Sequence, residues 1–259
     1  LAFNPYVIWW MVVLIASIGF AAYVAIRLLG TRRGLIITAL LGSVVSSTAM
    51  TVTLARLNKG RNLQALLACG LLATSALMFP RVLLEVGLIN PSLLPQLIWP
   101  LSVAMLIYAG GALAYFQRSN RESEESAEPP LKNLTDSLWL YGWMALLALI
   151  LLLVEGARHW LGDVGVYLVA LLAGLTDVDA ITLSLARSAD AELSAQVAVQ
   201  GIFLAVLSNS LVKGLLIAMI GGQQLALRTL PVMGAGLAML FLGERLYAFH
   251  IAGIGLIFA

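Results

Sequence analysis

The chain has 259 residues, 61% hydrophobic and only 11% charged, where ordinary globular domains carry about 25% charged residues. Its formal net charge of +2, with no basic cluster interleaved with aromatics, excludes a nucleic-acid binder. A single cysteine, Cys69, excludes an internal disulfide framework and a thiolate metal cluster, which leaves an all-α polytopic membrane protein as the class.

Counting about 20 apolar residues per span, the sequence predicts a helix over roughly 6–29, a second over 35–57 and a third beginning at 63. Short basic turns separate them. Pro80 and Arg81 are expected to bend the third run, so that residues 79–91 (FPRVLLEVGLINP) lie along the membrane interface with Arg81 and Glu85 in water. A fourth span covers about 92–116. Residues 117–136 are the one long polar stretch and read as a solvated linker. Further spans are expected at about 138–159, 165–187, 193–221 and 226–243, with a last apolar piece at 247–259. The chain thus divides into a first transmembrane repeat (1–116), the linker, and a second repeat with a C-terminal helix (137–259), a helical bundle of eight or nine spans. No positive n-region precedes Tyr6, so no signal peptide is read; the start without Met and the apolar end lead us to expect a longer parent protein.

The word "repeat" rests on one alignment. Residues 39–56 (ALLGSVVSSTAMTVTLAR) and 170–187 (ALLAGLTDVDAITLSLAR) share eight of eighteen positions at a constant offset of 131. At that offset Arg27 falls on Arg158, Gly34 on Gly165 and Gly70 on Gly201, so an internal duplication is expected. The halves differ where Ser46, Ser47 and Thr48 stand opposite Asp177, Val178 and Asp179.

Carboxylates at membrane depth are costly, about 2.5 to 3.5 kcal/mol each on insertion scales, and mark a pathway or binding site by default. Asp177 and Asp179 are therefore the candidate ion ligands or proton carriers. Two residues apart, they point about 200° away from each other on a continuous helix, so a shared cavity requires unwinding near Gly174. Thr176, Thr182 and Ser46, Ser47 and Thr48 would add hard oxygen ligands, suited to a proton, an alkali ion or a divalent metal held by Asp177 and Asp179. Capping of a half-helix and pairing with a buried base is the plainer role for the two aspartates. Helix packing is the plainer role for the hydroxyls. Asn209 and Lys213, four apart on one helical face, form the expected facing wall, with Lys213 the candidate base. Trp9, Trp10, Trp139 and Trp143 fit an aromatic belt, and Glu155, Arg158, His159 and Trp160 a headgroup-level anchor. His250 reads as a core histidine. No protease or lipid-phosphate transferase pattern is present, so no enzyme activity and no cofactor are expected.

The segments GSVVSSTAMT (42–51), GLTDVDAITLSLA (174–186) and SNSLVKG (208–214), in that order, resemble the bacterial membrane domain of unknown function that often follows an MgtC/SapB-type domain, over about residues 5–232. The resemblance implies a multi-pass inner-membrane protein, an MgtC-like domain as partner in the full-length chain, and a link to ion homeostasis. LGERLYAFHIAGIGLIFA (242–259) resembles the end of EamA-type drug/metabolite transporters. The expected function is a transporter or channel for a small ion, most simply a cation, working at the repeat interface. The alternatives are an exporter of a small organic solute and a non-transporting membrane regulator or assembly partner. The expected partners are the lipid bilayer, the ion or solute, and a second copy of the chain in a homo-oligomer.

Overall fold

The computed structural model describes residues 31–58, 63–119, 162–189 and 193–243. The expectations placed on residues 1–30, on the linker after Ser119, on the span at 138–159, on the tryptophan belt and on the 247–259 tail lie outside them. Among the described residues there are eight α-helices and no strand.

Helix α1 (Thr31–Arg56) is interrupted at Ser46, whose backbone is extended (φ −156°, ψ 106°). The Ser46 Oγ accepts a hydrogen bond from the Ala49 N–H at 3.2 Å, so the serine caps the second segment. Helices α2 (Gln64–Ala76) and α3 (Met78–Ile89) run on as one rod through Leu77, which keeps helical angles. Pro80 explains the joint. It has no N–H for the carbonyl of Ala76, yet sits comfortably in the first turn of α3, where that donor has no helical partner. The segment expected along the interface is instead the second half of a membrane-length helix. Asn90, before Pro91, leaves the helical region, as residues preceding proline do, and its Oδ1 accepts from the Ser92 N–H. A 3₁₀ turn (Pro91–Leu93) then leads into α4 (Leu94–Ser119).

The remaining described helices lie at 162–189 and 193–243. Helix α5 (Gly162–Gly174) stops, and α6 (Val178–Ser188) restarts after three residues. Helix α7 (Ala195–Leu216) is capped by Ser194, continues as a π-helical turn (Ile217–Gly221), and ends at Gly222, whose φ of +83° suits glycine. Helix α8 (Gln223–Gly243) follows.

Among the described residues, three stretches are long and apolar enough to cross a membrane: Gln64–Ile89, Pro91–Ser119 and Ala195–Gly221. The first, at 26 residues, measures about 39 Å at 1.5 Å per residue, more than a hydrocarbon core of about 30 Å. Leu88, Trp99 and Leu106 lie exposed on these helices, the surface a lipid-facing helix presents. This is a membrane protein's helix set. The apolar segments Gly34–Val44 and Val164–Gly174 reach about half as far, each ending close to a break.

Helix α2 packs on α1 and α4, and α7 packs on α5 and α6; α4 against α8 and α3 against α6 join the two groups around a single apolar core. Tyr108 lies at the α4–α8 seam. It is fully buried, edge-on to Phe79 at 5.2 Å, and its hydroxyl donates to the Met233 carbonyl at 3.2 Å. Tyr108→Phe should keep the packing and lose that bond, lowering stability by about 0.5 to 1.5 kcal/mol in a detergent melting experiment.

Candidate functional site

The break between α5 and α6 lies at Leu175–Asp177. Asp177 takes φ −153° and ψ 125°, and its Oδ1 accepts the Asp179 N–H at 3.1 Å, capping α6. Ser46 does the same for the second segment of α1, at nearly the same backbone angles and 131 positions earlier. Two discontinuous helices therefore present capped N-terminal ends, where the aligned peptide dipoles favour negative charge.

Helix α3 lies across the second break. Arg81 donates from Nη2 to Asp179 Oδ2 and from Nη1 to the Ser43 carbonyl at 3.1 Å, so one guanidinium ties the first segment of α1 to α6. The pair is not sealed: the Arg81 and Asp179 side chains are 29% and 24% exposed. Asp177 is exposed beside them. Glu85, one turn beyond Arg81, lies within electrostatic reach of Asp179, Asp177 and Arg81, and its buried Oε2 has no hydrogen-bond partner.

Lys213 approaches from α7. It is 0% exposed, and its Nζ donates to Met78 Sδ at 3.5 Å. Asp179, Asp177 and Arg81 all act on it electrostatically. Lys213, the expected base for an aspartate, makes no ion pair among the described residues; Arg81 takes that place. Lysine and aspartates are neighbours without a direct bridge.

Asn209, one turn before Lys213, donates from Nδ2 to the Gly174 carbonyl at 3.0 Å, and Ser208 Oγ donates to the Leu171 carbonyl at 2.6 Å. Carbonyls in the last turn of a helix have no intrahelical partner, so α7 uses these two side chains to hold the end of α5. Thr176 sits in the unwound turn, its Oγ1 donating to the Ala173 carbonyl. Thr182 is fully buried, and its Oγ1 has no partner. Ser47 and Thr48 are half-buried in the first turn after the α1 break, close to Ser46 but with no bond to the carboxylates. Thr51 and Thr53 bond back to the carbonyls of Ser47 and Ala49, the packing role.

The structure thus gathers Asp177, Asp179, Arg81, Glu85 and Lys213. Arg81 and Glu85, expected at the membrane interface, belong to this cluster instead. The missed signal was their spacing of four inside an otherwise apolar run, which puts both on one face of a helix at membrane depth. For a divalent metal on Asp177 and Asp179 the donor set is poor. One carboxylate is engaged by Arg81, the other caps α6, and among the described residues no three His, Cys, Asp or Glu side chains form a ligating group.

Comparison with known proteins gives a family and no fold precedent. The chain is similar to an "Uncharacterized protein" of Aquifex aeolicus (strain VF5), 31% identical over 193 residues that cover 74% of this chain and 84% of the relative. No solved structure matches. A family model described as "Domain of unknown function (DUF4010)" matches residues 13–221, from before α1 to the end of the π turn that follows Lys213. The chain belongs to the DUF4010 family.

Proposed function

We propose that this chain is a multi-pass inner-membrane transporter or channel for a small ion, most simply a cation, and not an enzyme. Its site is the interface of two duplicated halves, residues 1–116 and 137–259. One observation carries the reading: a charged cluster built from both halves sits at two helix breaks and stays open at the Arg81–Asp179 pair. Broken helices at membrane depth free carbonyls and half-helix ends for ions, and they are tolerated where they line a cavity. The matched breaks at Ser46 and Asp177 support the duplication, because a copied helix keeps its weak point even where a serine has come to face an aspartate.

A second reading has one observation in its favour. A non-transporting regulator that works beside an MgtC-like domain would hold its charges in closed pairs, and Asp179 is already paired with Arg81.

Ion flux into proteoliposomes separates the two. Wild-type chain should carry a selective cation flux, reduced by about tenfold or more in Asp179→Asn and in Asp177→Asn, the cost of about 1.4 kcal/mol or more of lost ion stabilisation. No flux of any monovalent or divalent cation in wild type, with both variants folding as stably, would sink the transport reading and leave the regulator.

A further inference from the structure

We propose that Lys213 is the proton carrier of this site and that the site exchanges that proton for a monovalent alkali cation. The inference rests on the transport reading above and adds its substrate class and coupling.

An ammonium has three donors, and a thioether is a weak acceptor. Lys213 is wholly buried, and its one hydrogen-bond partner among the described residues is Met78 Sδ at 3.5 Å. Among the described residues no carboxylate bonds to this amine, and Asp179 and Asp177 reach it only through space. The charged groups that act on Nζ are Asp179 and Asp177 at the head of α6 and Arg81 of α3. Helices α1, α5 and α8 also pack against α7. Of the titratable side chains described on those helices, Arg56, Tyr167 and Arg228 are not among those acting on Nζ. Tyr167 is engaged with Gln200, nearly four turns before Lys213 along α7.

Two positive charges then draw on one small set of carboxylates, and they differ in chemistry. The guanidinium of Arg81 does not lose its proton in proteins, whereas a buried lysine readily does. A cation arriving at Asp179, Asp177 and the unpartnered Oε2 of Glu85 would meet the ammonium across a low-dielectric gap, where like charges repel strongly. The repulsion is relieved when the Lys213 ammonium releases one proton to the water reached through the open face of the pair and remains as the neutral amine. Charge balances in this step: one proton leaves as one monovalent cation enters, so the net charge of the carboxylates, Arg81 and Lys213 together with the ion is the same before and after. One-for-one exchange is therefore electroneutral. A divalent ion in the same one-for-one exchange would leave the cluster one charge more positive than at rest, so the balance favours a monovalent ion.

The test uses full-length chain in detergent, weakly buffered, with a pH-indicator dye and titration with sodium, potassium or lithium chloride. Wild type should release one proton for each alkali cation bound, as happens when a ligand displaces a proton from its site. Lys213→Met should still bind the cation and release no proton. Methionine fills a similar volume and the amine it replaces makes no ion pair among the described residues, so this variant is expected to fold, which melting in detergent checks before the titration. Lys213→Arg, whose charge is fixed, should bind the cation about tenfold or more weakly. Reconstituted with a pH dye inside the vesicles, wild type should exchange cation for proton with a rate indifferent to membrane potential, and Lys213→Met should carry the cation alone with a rate that follows the potential. Cation binding or flux without proton release in wild type would overturn the proposal and leave the transport reading standing. So would unchanged proton release in Lys213→Met. Absence of any cation binding or flux in wild type would overturn both.

Discussion

Valine at position 174 is expected to unfold the junction between α5 and α7, lowering stability by about 3 kcal/mol or more, the upper end for overpacking a close-packed contact. A Cβ on Gly174 would lie 2.5 Å from the Ala205 carbonyl oxygen, 2.7 Å from its Cα and 2.9 Å from its carbonyl carbon. These are backbone atoms of α7, which have no rotamer to turn away. Even alanine forces the helices apart, at about 1 to 3 kcal/mol. The movement would also lengthen the Asn209 bond to the Gly174 carbonyl, 3.0 Å in the wild type, and release the last turn of α5. Gly234→Ala is the control, because a Cβ there meets nothing within 4 Å, and removing backbone freedom from a helix should leave stability unchanged or raise it by about 0.5 to 1 kcal/mol. Thermal melting in detergent, followed by intrinsic fluorescence, compares the three. A Gly174→Ala melt indistinguishable from wild type would show that α7 is not pressed against this glycine.

The same glycine marks how far sequence reading reaches. A break near Gly174 was legible, because two aspartates two apart cannot share one face of an intact helix, and small residues followed by an Asp make a ready N-cap. The break at Ser46 was not. A serine is so easily carried within a membrane helix that residues 35–57 read as one span, and only the extended backbone of Ser46 reveals the cap. Pro80 misled in the other direction: beside two charged residues it suggested a chain leaving the bilayer, whereas in the first turn of a restarted helix it costs little. Lys213 announced itself as an ionisable group in an apolar run, but its partner is a contact of the folded chain. Arg81 and Asp179 are 98 positions apart, and no local periodicity records which base reaches which acid.

Arg81→Met is expected to cost about 1 to 3 kcal/mol, less than the 3 to 5 that follow removal of one partner from a fully buried pair, because water reaches both side chains here. The loss has two sources. The tie from α3 to the Ser43 carbonyl and to Asp179 disappears, and Asp179 is left beside Asp177 and Glu85 with Lys213 as the one remaining positive group of the cluster. The second source predicts a rescue. Asp179→Asn in the Arg81→Met background removes the crowded carboxylate and should recover part of the loss, giving a coupling of about 0.5 to 3 kcal/mol in a double-mutant cycle measured by detergent melting. Arg81→Lys separates charge from geometry. An ammonium can face Asp179 but cannot grip a carboxylate and a carbonyl at once with a planar fork, so it should keep the electrostatic part and lose the tie between α1 and α6. Additive single changes, with no coupling between positions 81 and 179, would mean that the pair is incidental to the joint between the halves. Strong coupling in stability together with loss of flux in Arg81→Lys would mean that the guanidinium's two-handed grip sets the distance between the broken helices, and hence the opening through which an ion reaches Asp179.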